Sequence, residues 1–393
     1  MTDFQFGIDE LLKEPHGLKG MRIAVVGHPA SVTSKLTHTV DELLAKGVNV
    51  IKSFGPQHGM RGDKQDNMIE SNDYIDPKHH IPVISLYGDF RYPQEQMLKD
   101  VDGILFDLQD IGCRVYTFIT TLRYFVEAAA NNDIPIWVLD RPNPIGRPVD
   151  GLFLEDGAQS FVGCDLLPMR HGLTTGELAC WFADQLKCAK PTVIKMKNYQ
   201  PCASPGFGWP IHERAWVNPS PNAGSVNMAR CFPGTVLIEG TTLSEGRGTT
   251  HALEVIGAPD FPTDEILTQI PSELLGNLRP CFFTPTFHKH ANQLCSGIQI
   301  HTDHSTYQHD KFNPFYLVAM ILKYFRQTKP DYNLWRYHEY EYENSRIPID
   351  VICGSDLIRK WVDEQNSTLQ ILEEMLTATK VEWYAAREPY LLY

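Results

Sequence analysis

Two glutamates in "EGTTLSEGRGTT" (residues 239–250), Glu239 and Glu245, form the pair of side chains best suited to acid–base chemistry in this chain. Glycosidic bond cleavage commonly asks for two carboxyl groups of unequal proton affinity, one held neutral as acid and one ionised as base or nucleophile. The surroundings differ in that sense. Glu239 follows the apolar "TVLI", which favours a neutral acid, whereas Glu245 sits among glycines two residues before Arg247, which favours an ionised one. The competing reading is a loop salt bridge beside an exposed glutamate. His58 in "GPQHGMRG" and Asp107 at the end of "DGILFD" complete the candidate catalytic set.

The neighbouring loops carry residues of the type that binds polar ligands. In "FGPQHGMRGDKQDN" (54–67) a turn has use for glycine, proline and aspartate but not for a Gln57-His58 pair, so Gln57, His58 and Arg61 read as a site. "DLQDIGCRVY" (107–116) adds Asp110, Arg114 and Tyr116, unless Asp110 merely caps a helix. In "DRPNP" (140–144) and "NPSPN" (218–222) each proline pushes the preceding residue toward extended geometry. Such stiffness fixes Asp140, Arg141, Asn143, Asn218, Ser220 and Asn222 at low entropic cost, which suits sugar hydroxyls and equally suits a rigid surface turn. "MRHG" (169–172) sets Arg170 beside His171 ahead of a helix start, a pair that is more often structural than catalytic.

Short β-rich runs alternating with helical patterns must position these loops. "MRIAVVG", "VNVIKSF", "IPVISLYG", "DGILFDLQ" and "IPIWVLD" read as strands, with "HTVDELLAKG" and "TFITTLRYFVEAAANND" as helices between them. The pattern predicts an α/β fold: a Rossmann-like, doubly wound parallel sheet whose strands all end on one edge. Positions 58, 110, 141, 220 and 245 are expected to meet along that rim. The helix "TTGELACWFADQLK" and strands at "TVIKMKN" and "TVLIEG" follow. Beyond about residue 250 come "CFFTPTF", "SGIQIHT" and the apolar helix "NPFYLVAMILKYFRQT", a smaller α+β domain. At 393 residues with 42% hydrophobic composition, the chain can bury two cores, expected over 1–250 and 251–393.

Charge and motifs narrow the partners. A formal net charge of −13 disfavours nucleic acid or an anionic membrane surface. "EGTTLSEGRGTT" has neither the ending of a P-loop nor a dinucleotide fingerprint, and no G-x-S-x-G elbow occurs. The histidines of "FHKH" and "HTDHSTYQH" match no metal motif, so no cofactor and no metal are expected. The expected ligand is a small-molecule sugar. Nine scattered cysteines without a C-x-x-C pair, no signal-peptide pattern and no membrane-length apolar run predict a cytoplasmic protein.

Together "GIDELL", "GPQHGMRG", "DLQDIGCRVYTF", "LDRPNPIG", "SFVG", "RHGLTTGELA", "NPSPN", "PGTVLIEGTTLSEGRGTT", "GAP" and "REPYLLY" resemble the DUF1343 family, which includes exo-β-N-acetylmuramidases of peptidoglycan recycling. The resemblance runs from about residue 7 to residue 393. It implies a cleft between a Rossmann-like domain and a smaller one, and removal of terminal N-acetylmuramic acid from a muropeptide or disaccharide. It also implies a glutamate in the motif "GPEHG" as catalytic acid, where this chain has Gln57, whose amide cannot exchange a proton in that role. Members with that glutamate more often have an apolar residue where Glu245 stands, so the carboxylate is expected to have moved to Glu245. The lactyl carboxylate of muramic acid needs a cation, for which Arg61, Arg114, Arg141, Arg170 and Arg247 are candidates. Two other readings stay open: a non-catalytic muropeptide-binding member, and a hydrolase of another glycoside.

Overall fold

The apolar runs do assemble into one sheet. In the computed structural model, which describes residues 3–62 and 70–393, β1 (Ile23–Gly27), β2 (Val50–Gly55), β3 (Tyr74–Ile75), β4 (Pro82–Ser85), β5 (Gly103–Asp107) and β6 (Ile136–Leu139) come first. A separate antiparallel pair, β7 (Asp150–Phe153) and β8 (Pro168–Arg170), precedes β9 (Thr192–Ile194). The seven-stranded sheet has the order β3-β4-β2-β1-β5-β6-β9 and is parallel except where β3 joins β4. The chain winds outward from β1 through β2 to β4 and then crosses back to β5, so its direction reverses between β1 and β5.

Every residue of β1 and β5 is buried, as a sheet covered on both faces requires. Alternate residues of β1 serve opposite cores. Ala24 and Val26 pack with the helices Phe118–Asn131 and Thr175–Leu186, while Ile23 and Val25 pack with Val40 and Leu43 of the helix Thr39–Ala45. The tail of the "FGPQHGMRGDKQDN" loop, from Asp63 onward, lies outside the described residues.

The second unit is an antiparallel sheet of β10 (Val255–Ala258), β11 (Leu278–Phe283) and β12 (Cys295–Ile300), with β12 in the middle. Its central helix, Pro314–Thr328, opens on a proline at its first turn and buries residues on almost every side, so it is the core rather than a cover. The helix Val226–Thr235 packs in the same core, together with Pro348–Cys353 and Leu357–Asp363. The expected boundary after residue 250 falls in the loop between Gly240 and β10.

One expected strand is something else. "TVLIEG" reads as β because of its branched residues, but Val236–Gly240 is a 3-10 helix that continues directly from Val226–Thr235. A short apolar run has no period of its own, and here it carries on from a helix that Ser225 caps through Met228 N at 2.9 Å. All nine cysteines are unpaired. Among the described residues, no helix is long and apolar enough to cross a membrane, and no three His, Cys, Asp or Glu side chains converge on a metal-sized site.

Candidate active site

The reversal point between β1 and β5 is the usual ligand crevice of such a sheet, but here protein fills it. His28 Nε2 accepts from the Gln109 amide at 3.0 Å, and the His28 ring packs edge-on against Phe118. Beside them Arg141 donates twice to Asp107, at 2.5 and 2.9 Å, and Thr39 donates to the same carboxylate. The open space lies further out, as a cleft. Gln57 and His58 line it from the loop after β2, and Tyr116 and Thr117 from the loop after β5. Ser220, Asn222, Glu239, Arg247, Tyr340 and Glu341 line it from later in the chain.

Among the described residues two carboxyl groups therefore face this cleft, Glu239 and Glu341, in unlike surroundings. Glu239 accepts from Arg247 Nη2 at 2.6 Å and from the Tyr340 hydroxyl at 2.7 Å, a charge-assisted pattern suited to a carboxylate. Among the described residues Glu341 accepts from neutral donors, Gln57 Nε2 at 3.3 Å and the Tyr87 hydroxyl at 2.9 Å. Burial pushes the Glu341 carboxyl above its ordinary pKa, and the charge of Glu239 adds to this, against the opposing effects of Tyr87, Gln57 and Arg91.

Glu341 is held there by an unusual turn. Tyr340 and Glu343 exchange both backbone hydrogen bonds at 3.0 Å, and the two residues between them, Glu341 and Tyr342, have φ of 47° and 69°. Two positive φ values mark a type I′ hairpin turn, which normally takes Asn-Gly; each side-chain-bearing residue held there costs about 1 kcal/mol or more. The surroundings offset that strain. The Arg91 guanidinium lies 3.1 Å from the centre of the Tyr342 ring, and Tyr87 and Phe161 pack edge-on to the same ring. His58, with φ of 72°, is a second strained residue at the cleft.

The chain as a whole has known relatives. The family described as "Exo-beta-N-acetylmuramidase NamZ, N-terminal" matches residues 23–227, and its C-terminal counterpart matches 230–393. The chain belongs to the NamZ family. It is similar to the peptidoglycan beta-N-acetylmuramidase NamZ of Bacillus subtilis (strain 168), with 38% identity over 395 residues covering 99% of this chain and 91% of that protein. Among solved structures it is similar to two DUF1343 family proteins from Bacteroides fragilis NCTC 9343, both 27% identical. One gives a TM-score of 0.85 with each chain covered in full, the other a TM-score of 0.74 covering 100% of this chain and 99% of that one.

Against this NamZ frame the expected site residues separate into two groups. Gln57, His58, Tyr116, Ser220, Asn222, Glu239 and Arg247 line the cleft. Glu245 does not, and the expected relocation of the acid to it fails. Its side chain is fully buried, 2.8 Å from Lys289 Nζ, 3.2 Å from Arg247 Nε and 3.3 Å from His288 Nδ1. Burial alone pushes its carboxyl up, but the charge of Lys289, the His288 hydrogen bond and Arg247 outweigh it and hold the group well below the carboxylate range. A group so held is no acid. The glycines of this loop serve geometry rather than phosphate: Gly248 has φ of 86°, and a Cβ there would lie 2.7 Å from the Phe287 carbonyl oxygen.

Asp107 and Arg141 neutralise each other, as described above. Asp140 accepts from Thr174, Gly176 N and Tyr393, and so ties a helix start to the chain's last residue. Asn143 bridges Leu173 O and Ile145 N. Asp110 accepts from Gly112 N at 2.6 Å and lies 3.5 Å from His171, away from the cleft wall. Arg61 pairs with Asp76 and Asp41, and Arg170 donates to the Phe312 and Ile145 carbonyls. Arg114 is spent on four carbonyls, those of Leu152, Leu167, Ile352 and Cys353. Asn218 is exposed and outside the cleft lining. Of the five expected rim positions, 58 and 220 reach the cleft, while 110, 141 and 245 are framework.

Tyr340, Glu341, Tyr87 and Thr117 were not foreseen. The available signal was the run "YHEYEYENSR" (337–346), where glutamates alternate with tyrosines.

Proposed function

We infer that this chain is a glycoside hydrolase that removes a terminal N-acetylmuramic acid from peptidoglycan-derived sugars. The observation that carries the reading is the pair of carboxyl groups, Glu239 and Glu341, facing one cleft in unlike surroundings within a chain covered end to end by the NamZ family. Such a pair suits glycosidic cleavage, in which one group stays neutral and the other ionised. Of the five candidate arginines Arg247 alone lines the cleft among the described residues, so it is our choice for the lactyl carboxylate. Tyr116 offers an aromatic face, and Ser220 and Asn222 offer partners for sugar hydroxyls.

The substrate is a small muropeptide or muramic-acid disaccharide, a reading supported by the similarity to a peptidoglycan beta-N-acetylmuramidase. Nine unpaired cysteines support a reducing compartment, the cytoplasm.

The test is incubation of the purified protein with the β-1,4-linked N-acetylmuramic acid–N-acetylglucosamine disaccharide, with mass spectrometry and a reducing-end assay as readout. Release of free N-acetylmuramic acid is expected. Saturable binding of the disaccharide without release of either sugar would overturn the enzyme reading in favour of a binding protein.

A further inference from the structure

We propose that Glu341 is the general acid of this site, carried in on the hairpin turn at residues 340–343, and that Gln57 is its positioning residue. The proposal rests on the hydrolase reading above. Its basis is geometric. The loop after β2 reaches the cleft with an amide where the resemblance implies an acid, and that amide does not point into empty space. Its Oε1 accepts from the Thr117 hydroxyl at 3.0 Å while its Nε2 donates to Glu341. A glutamate at position 57 would instead set two carboxyl groups about 3.3 Å apart, a spacing at which they cannot both ionise. Gln57 and Glu341 therefore read as one acid supplied from the opposite wall, with the amide fixing its direction.

The turn supports this. Two consecutive non-glycine residues in the left-handed region persist only where the surroundings over-determine them, and here Gln57, Tyr87 and Arg91 all grip the tip. In the reaction the proton on the Glu341 carboxyl passes to the glycosidic oxygen as the C1–O bond breaks and its electron pair stays on that oxygen. Water supplies the oxygen that bonds to C1, and its surplus proton is taken by the Glu239 carboxylate. The sum is addition of one water across the bond.

The groups facing Glu341 are Tyr87, Gln57, Tyr342, Arg91 and Glu239, with His58 and Arg247 elsewhere on the cleft wall. Tyr87 and Gln57 both stabilise its ionised form, so losing either donor moves the high-pH limb of kcat upward.

The decisive experiment compares wild type with Glu341→Gln, Gln57→Leu and Tyr87→Phe on the disaccharide and on a 4-nitrophenyl glycoside of N-acetylmuramic acid. An aryl leaving group departs without protonation. Glu341→Gln is expected to lower kcat on the disaccharide by about 10²–10⁴-fold and on the aryl glycoside far less, and to remove the high-pH limb. Gln57→Leu is expected to lower kcat rather than raise KM, again selectively on the disaccharide. Tyr87→Phe is expected to shift the high-pH limb upward. An active wild type with Glu341→Gln equally impaired on both substrates, or unimpaired on both, overturns the proposal and leaves the hydrolase reading standing. A wild type inactive on both substrates overturns the hydrolase reading and this proposal with it. Should Glu341→Gln fail to fold, an unmoved limb in Tyr87→Phe overturns the proposal on its own.

Discussion

Replacing Glu245 by glutamine separates framework from chemistry in the loop where sequence alone places the acid. Glu245 is the counter-charge of Lys289, whose Nζ is also held by the Ile238 and Leu243 carbonyls at 2.7 and 2.9 Å. Removing one partner of a buried ion pair costs about 3–5 kcal/mol, because the other charge stays buried and unpaired. Glutamine keeps the volume and one acceptor, so the low end, about 3 kcal/mol, is expected. For a cooperative unit the size of residues 230–393, that corresponds to a drop in Tm of roughly 6–12 °C. The double variant Glu245→Gln/Lys289→Met should lose less than the sum of the two single losses. The sign with pH follows from the depressed carboxyl. Its contribution is present above the unfolded pKa of about 4.3 and is lost as pH falls further, so the gap between wild type and variant narrows in acid. Arg247 keeps its 2.6 Å bond to Glu239, so kcat of the folded variant should stay within about tenfold of wild type. Calorimetry and disaccharide turnover measure both quantities. An unchanged Tm with kcat reduced a hundredfold or more would refute the assignment of Glu245 to the framework.

Arg114→Met should destabilise by about 3–5 kcal/mol in urea titration, because it takes a charged donor from four buried carbonyls. Thr174→Ala should cost about 1–2 kcal/mol by the same measurement, since Thr174 and Glu177 form a capping box and the Thr174 hydroxyl also donates to Asp140. Burial, with the nearby charges of Arg141, Arg61 and Arg170 respectively, lowers the pKa of His28 to about 3, His38 to about 4 and His309 to about 2. In the unfolded chain each binds a proton near pH 6.5, so stability should decline as pH falls below about 6.5, by up to about 1.4 kcal/mol per pH unit for each histidine. A urea midpoint that stays level from pH 7 to pH 5 would contradict it.

The parallel sheet is legible because its central strands, β1 and β5, are buried on both faces and read as unbroken apolar runs. The site is only partly legible, and for a physical reason. Polar residues after a strand look the same whether they face a ligand or one another. "DRPNP" is as stiff as expected, yet its Arg141 turns inward to Asp107 and its Asn143 bridges two backbone segments. "NPSPN" has the same grammar and does present Ser220 and Asn222 to the cleft. The hairpin that carries Glu341 lacks the glycine or asparagine that announces a type I′ turn, so nothing local marks it.

Glu341 is placed by the docking of the two units more than by its own segment. The chain enters the 336–347 stretch tied to the end of the 3-10 helix that holds Glu239, with Arg336 N on Gly240 O at 3.1 Å and a bridge between Thr241 and Trp335. It leaves with Arg346 on the Ala158 carbonyl at 2.9 Å, just before the helix whose last carbonyls Arg114 clamps to Leu152 and Leu167. Arg114 is therefore one of the cations that join the two units, and the position of the proposed acid depends on a residue that never touches the cleft. The same dependence explains why an arginine chosen from sequence for a ligand's carboxylate is instead spent on backbone. A cleft formed between two units needs a buried donor with several fixed N–H groups to hold them in register, and guanidinium has that geometry.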